Sequence, residues 1–239
     1  MIKPINIANI PVKPYTSFEH VLESIFDEKY KVIPGVAIAI NPEKILKSLE
    51  SDEIKQILLD ATIPYADGIG VVKVMEKKSK QKLARIPGSE LWLEVLKKAS
   101  LSGEPIFLLG SKKNIINQCA QKLVDELDSN IVGISDGYFS EQEKLIKEIH
   151  FSGASIVIVA LGSPKQEVFI NHCKKVHPNA FYMGVGGSFD VYVGNVKRAP
   201  SFWINLNLEW LYRLLKEPKR FFRQLRLFKF IYMYIFNKI

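Results

Sequence analysis

Apolar and polar positions along this chain switch repeatedly between a short-run pattern and a helical one. Val36–Ile40 is a continuous apolar run that stops at Asn41, and Pro42-Glu43 then opens a pattern with Ile45, Leu46 and Leu49 on one face. Asn suits an N-cap because its side-chain oxygen takes up an orphan helix N–H, and Pro suits the first helical position. Pro105–Leu109, followed by Gly110, predicts a second strand leading to a helix from about Lys112 to Leu127. Asn130–Ile134 predicts a third, ahead of the loop Ser135–Phe139. Ser140 and Glu143 have capping-box spacing and predict a helix from about Ser140 to His150. Ser155–Leu161 is a continuous apolar run with β-branched residues, as expected of a strand buried on both faces. Gly162-Ser163-Pro164 opens a helix from about Lys165 to Val176, and Ala180–Met183 leads into Gly184-Val185-Gly186-Gly187.

From residue 105 onward the strand starts fall about 25 residues apart, the length of one βα unit. The fold class is therefore α/β, a Rossmann-like, mostly parallel sheet flanked by helices. Ser79–Pro87 is polar and basic and predicts an exposed loop. Phe18–Phe26 predicts a short helix packed outside the sheet.

Composition adds limits. At 239 residues, 47% apolar and 24% charged, the chain can bury a full core without staples, and wholesale disorder is excluded. Two cysteines, Cys119 and Cys173, are too few for a disulfide framework and point to a reducing compartment. Met1–Pro14 has no secretory apolar run, and no stretch is long enough to span a bilayer. The net charge of +8 is more informative once located. Lys197–Ile239 holds ten basic residues against Glu209 and Glu217, so the whole surplus lies there and the rest is neutral.

That division predicts an α/β body over 1–195 and a helical appendage over 196–239. Trp203, Leu206, Trp210, Leu211 and Leu214 recur at helical spacing, and after Pro218 an apolar stripe of Phe221, Phe222, Leu225 and Phe228 follows. Lys219, Arg220, Arg223 and Arg226 line the other side. A basic, aromatic-rich amphipathic helix suits an anionic membrane surface. A core helix with a solvated basic face is the alternative, and packing between subunits is also compatible. Nucleic-acid binding is disfavoured because it leaves the apolar stripe unexplained.

In an open parallel sheet, ligands bind beyond the carboxyl ends of the strands. Those ends present Asn41, Asp67, Gly110, Asp136, Gly162 and Gly184–Gly187. Asp67, on the turn Ala66-Asp67-Gly68, is a candidate general base, or else a cap for the following helix. Gly184, Gly186 and Gly187, with Asp190 after them, let backbone N–H groups approach a diphosphate, or form a tight turn only. Phe189 stands where a dinucleotide fingerprint needs its third glycine, and no Walker A sequence occurs. Lys165, Gln166 and Glu167 open a helix after Gly162, as an anion or sugar site or as solvated first-turn residues. His172, Cys173 and His177 lack the spacing of a metal site. No Asp-x-Asp pair occurs, so the usual metal-chelating device of sugar-nucleotide transferases is missing from the sequence.

Taken together, Ala66-Asp67-Gly68, Ala160–Glu167, Gly184–Asp190, Lys197–Pro200 and Leu208–Leu215 resemble the WecG/TagA/CpsF family, glycosyltransferase family 26. Val36–Lys44, Ser135–Phe139, His177–Gly187 and Gly194–Pro200 are most similar to its enterobacterial-common-antigen branch. The resemblance implies an inverting, metal- and cofactor-independent transfer of N-acetyl-D-mannosaminuronic acid from its UDP donor to undecaprenyl-diphospho-N-acetylglucosamine. It places this at the cytoplasmic face of the bacterial inner membrane, with the protein attached peripherally. It implies Asp67 as base and Asn41, Arg85 and Gln166 as pocket residues. Teichoic-acid members have Thr two residues before that Asn, where this chain has Ala39, so a role for that Thr does not carry over. The leaving UDP would be stabilised by backbone N–H groups and cations, with Arg198, Arg220 or Arg223 supplied by the appendage. Arg85 or Lys165 would pair the uronate carboxylate.

Overall fold

The computed structural model describes residues 3–200, 202–203, 206, 208–216, 221–236 and 238–239, with the side chains of 213 and 221–225 left aside. Six parallel strands form one sheet: β3 (Gly35–Ile40), β4 (Ile63–Ala66), β5 (Ile106–Gly110), β6 (Ile131–Ser135), β7 (Ile156–Ala160) and β8 (Phe181–Gly184). Their order across the sheet is β4-β3-β8-β7-β5-β6. The last strand in sequence thus lies in the middle, between β3 and β7. β5 to β8 begin at Ile106, Ile131, Ile156 and Phe181, which keeps the predicted βα spacing.

Side chains alternate across a strand, so each central strand feeds two cores. On one face Val36, Ile38 and Ile40 of β3 join Phe107, Leu109, Val157, Val159 and Tyr182. That face is covered by α2 (Pro42–Ser48), α3 (Asp52–Leu59), α4 (Ile69–Ser79), α7 (Gln142–Phe151) and α8 (Lys165–Val176). On the other, Ala37, Ala39, Tyr65, Leu108, Ile158 and Met183 pack under α1 (Phe18–Leu22), α5 (Gly88–Ser100), α6 (Lys113–Leu127) and α9 (Ser188–Tyr192). Every residue of β3, β5 and β7 is buried, as parallel strands sandwiched by helices require. β6 alternates instead, leaving Val132 and Ile134 exposed, because it is an edge strand.

Two local expectations are corrected, and one element is added. The chain over 79–87 is not a free loop: Leu83 and Ile86 are buried, and the Ile86 N–H donates to the Ala66 carbonyl at 2.9 Å. Two apolar side chains in that polar stretch suffice to pin it along β4. The Ser140–Glu143 capping box does not form, since α7 starts at Gln142 and no side chain caps it. The first residues hold an antiparallel hairpin, β1 (Ile5–Ile7) and β2 (Ile10–Val12), turned by Ala8 and Asn9 at φ 48 and 65. Its turn carries no glycine, which hides the signal.

Beyond the body, α10 (Glu209–Lys216) and α11 (Phe221–Ile235) follow. Phe230 is 2% exposed and packs on α2 and α4 beside Pro42 and Gly70. Arg226 pairs with Glu50 at 3.3 Å. Phe228, Ile231, Tyr232, Ile235 and Phe236 face outward. Among the described residues, no helix is long and apolar enough to cross a membrane.

Candidate active site

The strand order arranges the carboxyl ends as a row: Asp67 after β4, Asn41 after β3, Gly184–Gly187 after β8, Gly162 after β7, Ser111 after β5 and Asp136 after β6. From β3 and β7 the chain leaves toward one face, and from β8, between them, toward the other. Divergent connections from neighbouring strands open a crevice, which is where ligands bind in such sheets.

At one pole stands Asp67. Its N–H donates to the Ile40 carbonyl at 3.0 Å, continuing the β3–β4 ladder one step beyond the strands. The next residue, Gly68, is the N-cap of α4 and makes no side-chain cap bond. Asp67 therefore precedes the cap and is not the cap itself. A Cβ on Gly68 would stand 2.7 Å from Pro42 Cδ and 3.3 Å from Asn41 Cβ, so glycine lets the Asp67 turn lie directly on Asn41. Asn41 caps α2 by accepting from the Lys44 N–H at 3.0 Å. Arg85 is carried here by the pinned 79–87 segment, and its Nε donates to the Asp67 carbonyl at 2.9 Å. Its guanidinium also lies 3.5 Å from Glu209 Oε2, which reaches in from the start of α10. Arg198 approaches the same Glu209 oxygen at 3.9 Å and bonds Glu90 closely. Asp67, Asn41, Arg85 and Arg198 thus converge, with the buried Glu209 joining the two arginines. Arg220 lies outside the described residues, and so does the side chain of Arg223.

The middle of the row is a buried polar network. Gln166 and Glu167 are each 4% exposed, so they are not solvated first-turn residues. Gln166 Oε1 accepts from the Gly186 N–H at 2.9 Å, and its Nε2 donates to Glu167 Oε1 at 3.0 Å. Lys44 reaches the same Glu167 oxygen at 2.7 Å. Burial pushes the Glu167 carboxyl up, but the Lys44 charge and hydrogen bonds outweigh it and hold it below the usual range. The Gly186 N–H is thereby committed internally and is not a free donor for a ligand. Gly187 has open space around it. Beside Asp67, Tyr65 is fully buried and its hydroxyl has no hydrogen-bond partner among the described residues. Burial, then the Asp67 and Glu167 charges, push its phenol well above the ordinary value.

The far end is an open cleft of about 610 Å³, lined by Ser111, Tyr138, Phe139, Gln142, Pro164 and Lys165 among others. Gly162, at φ +75, turns the chain into it, and Lys165 is exposed at its edge. Asp190 borders it indirectly: its two oxygens accept from Ser111 Oγ at 2.7 Å and from Asn195 Nδ2 at 2.8 Å. Ser111, Gln142 and Lys44 are the site residues that motif reasoning passes over. Ser111 had one signal, its place directly after a strand-ending glycine. His172 bonds Gln142 at 2.9 Å, and His177 bonds the Ala154 carbonyl at 2.7 Å.

A carboxylate at one pole, cations beside it and a roomy cleft beyond a glycine turn suit a two-substrate transfer. Comparison with known families agrees: residues 5–239 match the model described as Glycosyl transferase WecG/TagA/CpsF family.

Proposed function

The chain belongs to the WecG/TagA/CpsF family of glycosyl transferases, and on that premise we propose that it moves N-acetyl-D-mannosaminuronic acid from its UDP donor to undecaprenyl-diphospho-N-acetylglucosamine. The product is the lipid-linked disaccharide, lipid II, of enterobacterial common antigen. The observation that carries this reading is the convergence of Asp67, Asn41, Arg85 and Arg198 at one end of a row whose other end is a nucleotide-sized cleft.

In this reading the donor lies along the row. Its nucleoside occupies the cleft by Ser111 and Tyr138, and its diphosphate lies between Lys165 and the Gly187 end of the β8 turn. The acceptor sugar approaches from Asp67. The Asp67 carboxylate takes the proton of the acceptor 4-hydroxyl as that oxygen attacks the anomeric carbon opposite UDP. The carbon–oxygen bond to the diphosphate breaks, and UDP leaves with the electron pair. General-base assistance of this kind contributes about 10²–10⁴ in rate. Cations and N–H groups fixed around the leaving diphosphate stabilise charge as it develops, without reorganising. Arg85 and Arg198 at the pole, and Lys165 at the cleft, are the cations in place for the diphosphate and the uronate carboxylate.

The lipid acceptor brings the protein to the cytoplasmic face of the inner membrane. The outward face of α11, with Phe228, Ile231, Tyr232, Ile235 and Phe236 on a strongly basic segment, supports attachment there. In this reading residues 196–239 are the attaching appendage and 1–195 the catalytic body.

The test is donor choice. Purified protein, the lipid acceptor and a chelator are mixed with either UDP-N-acetylmannosaminuronic acid or UDP-N-acetylmannosamine, and the lipid product is weighed by mass spectrometry. Product from the uronate donor alone is expected. Product from the neutral sugar alone moves the protein to the teichoic-acid branch, and product from neither defeats the enzyme reading.

A further inference from the structure

Lys44 and Glu167 form an ion pair at 2.7 Å with side chains only 7% and 4% exposed. Both stand in the first turns of their helices, α2 and α8, which follow β3 and β7. The pair therefore spans the end of β8, the strand between those two. Its own stability gives little reason for it. Burying two charges forfeits their hydration, and an apolar pair of equal volume is often as stable. A lysine in the first turn of a helix also opposes the helix dipole.

The second contact of Glu167 gives a reason. Its Oε1 also accepts from Gln166 Nε2 at 3.0 Å. A carboxylate only accepts, so it holds that amide with nitrogen toward Glu167 and oxygen toward Gly186. Gly186 N–H then donates to Gln166 Oε1 at 2.9 Å. The amide also lies so tightly on Gly184 that a Cβ there would fall 2.5 Å from Nε2. We propose that Lys44–Glu167 is a positioning pair, which fixes the amide of Gln166 and through it the shape of the Gly184–Gly187 turn that receives the donor. Gln166 then acts through the turn. That the turn receives a nucleotide sugar rests on the function proposed above; the bonding chain does not.

The test replaces both charges with apolar side chains of similar volume, Lys44→Met with Glu167→Met, in the full chain. UDP binding is measured by calorimetry beside the melting temperature. The expected result is the Kd for UDP raised about tenfold, the order expected from losing a hydrogen bond to a charged group, with the melting temperature lowered by no more than a few degrees, since removal of two desolvated charges offsets the loss of the Gln166 Nε2 acceptor. A merely structural pair moves the melting temperature and leaves Kd in place. UDP binding at wild-type strength in the double variant overturns the proposal. Glu167→Gln alone, which frees the amide to flip, should weaken UDP binding at least as much and also lower the melting temperature. If the wild-type protein does not bind UDP, the nucleotide-sugar reading fails by itself. Exchange of the Gly186 amide hydrogen then decides: faster exchange in the double variant supports the positioning role, and unchanged exchange overturns it.

Discussion

Gly68→Ala isolates the contact that sets Asp67 against Asn41. The backbone at Gly68 has φ −84 and ψ 133, which alanine adopts freely, so the substitution carries no conformational penalty. Its cost is steric. The new methyl would stand 2.7 Å from Pro42 Cδ, 3.3 Å from Asn41 Cβ and 3.4 Å from Asn41 Cα, where ordinary contact begins at 3.4 Å. The first obstacle is a proline ring and the last is backbone, and neither swings aside. The turn must retreat by roughly 1 Å, carrying Asp67 with it, and a displacement of that size in a reacting group costs about 10²-fold in rate. Overpacking of one methyl destabilises by about 1–3 kcal/mol, which leaves a domain of ordinary stability folded. The assay is kcat/KM for lipid-linked product, with the melting temperature measured on the same preparation. The expected outcome is a melting temperature lowered by a few degrees and kcat/KM lowered about a hundredfold. A variant within about threefold of wild type in kcat/KM would refute the reasoning, because the displaced turn would then not be where the reacting base stands.

Other substitutions probe the rest of the row. Asp67→Asn should lower kcat by about 10²–10⁴ with little change in UDP affinity, and a loss below about tenfold in steady-state kinetics counts against the base. At Gly187 nothing lies within 4 Å of an added Cβ and φ is −85, so Gly187→Ala should keep its melting temperature. Calorimetry should nonetheless show weaker UDP binding, and full affinity would move the diphosphate elsewhere. Tyr65→Phe removes a buried hydroxyl that has no partner, so denaturant unfolding should show stability unchanged or raised by about 1 kcal/mol; a clear loss would reveal a bonded water. Burial pushes the thiols of Cys119 and Cys173 up to about 12 and about 11, so both should resist alkylation in native protein at pH 8 and react once it unfolds, as read by intact mass.

The parts of the molecule that could be read from sequence are those where local pattern and final environment coincide. β3 and β7 are buried on both faces, so their apolar runs have no competing interpretation. Strand ends in a parallel sheet meet on one edge whatever the strand order, which is why Asn41, Asp67, Gly162 and Gly187 could be grouped beforehand. The order itself could not be, and it decides who adjoins whom. Lys44 illustrates the limit: on a helical pattern a lysine reads as surface, and only its distant partner Glu167 makes burial tolerable. Arg85 sat in a stretch polar enough to pass for solvent-exposed, and only the burial of Leu83 and Ile86 delivers it to Asp67. Glu209 faced a surplus of positive charge in sequence; Arg85 and Arg198, which it meets, stand far apart along the chain.

The central place of β8 also has a consequence for how the protein comes to exist. β3 and β4 pair with each other, and β7, β5 and β6 pair among themselves, but only β8 joins the two groups. Gly35 must wait for Phe181 before its second edge is covered. A nascent chain therefore carries two incomplete sheets with open apolar edges until nearly its whole body has been synthesised. Such long-range closure is slow, and it leaves the unjoined edges liable to aggregation. The strand that closes the sheet is also the one whose end bears the Gly184–Gly187 turn. No translation product that stops short of β8 can therefore hold that turn on a closed sheet, and the turn takes its place only as the sheet is completed.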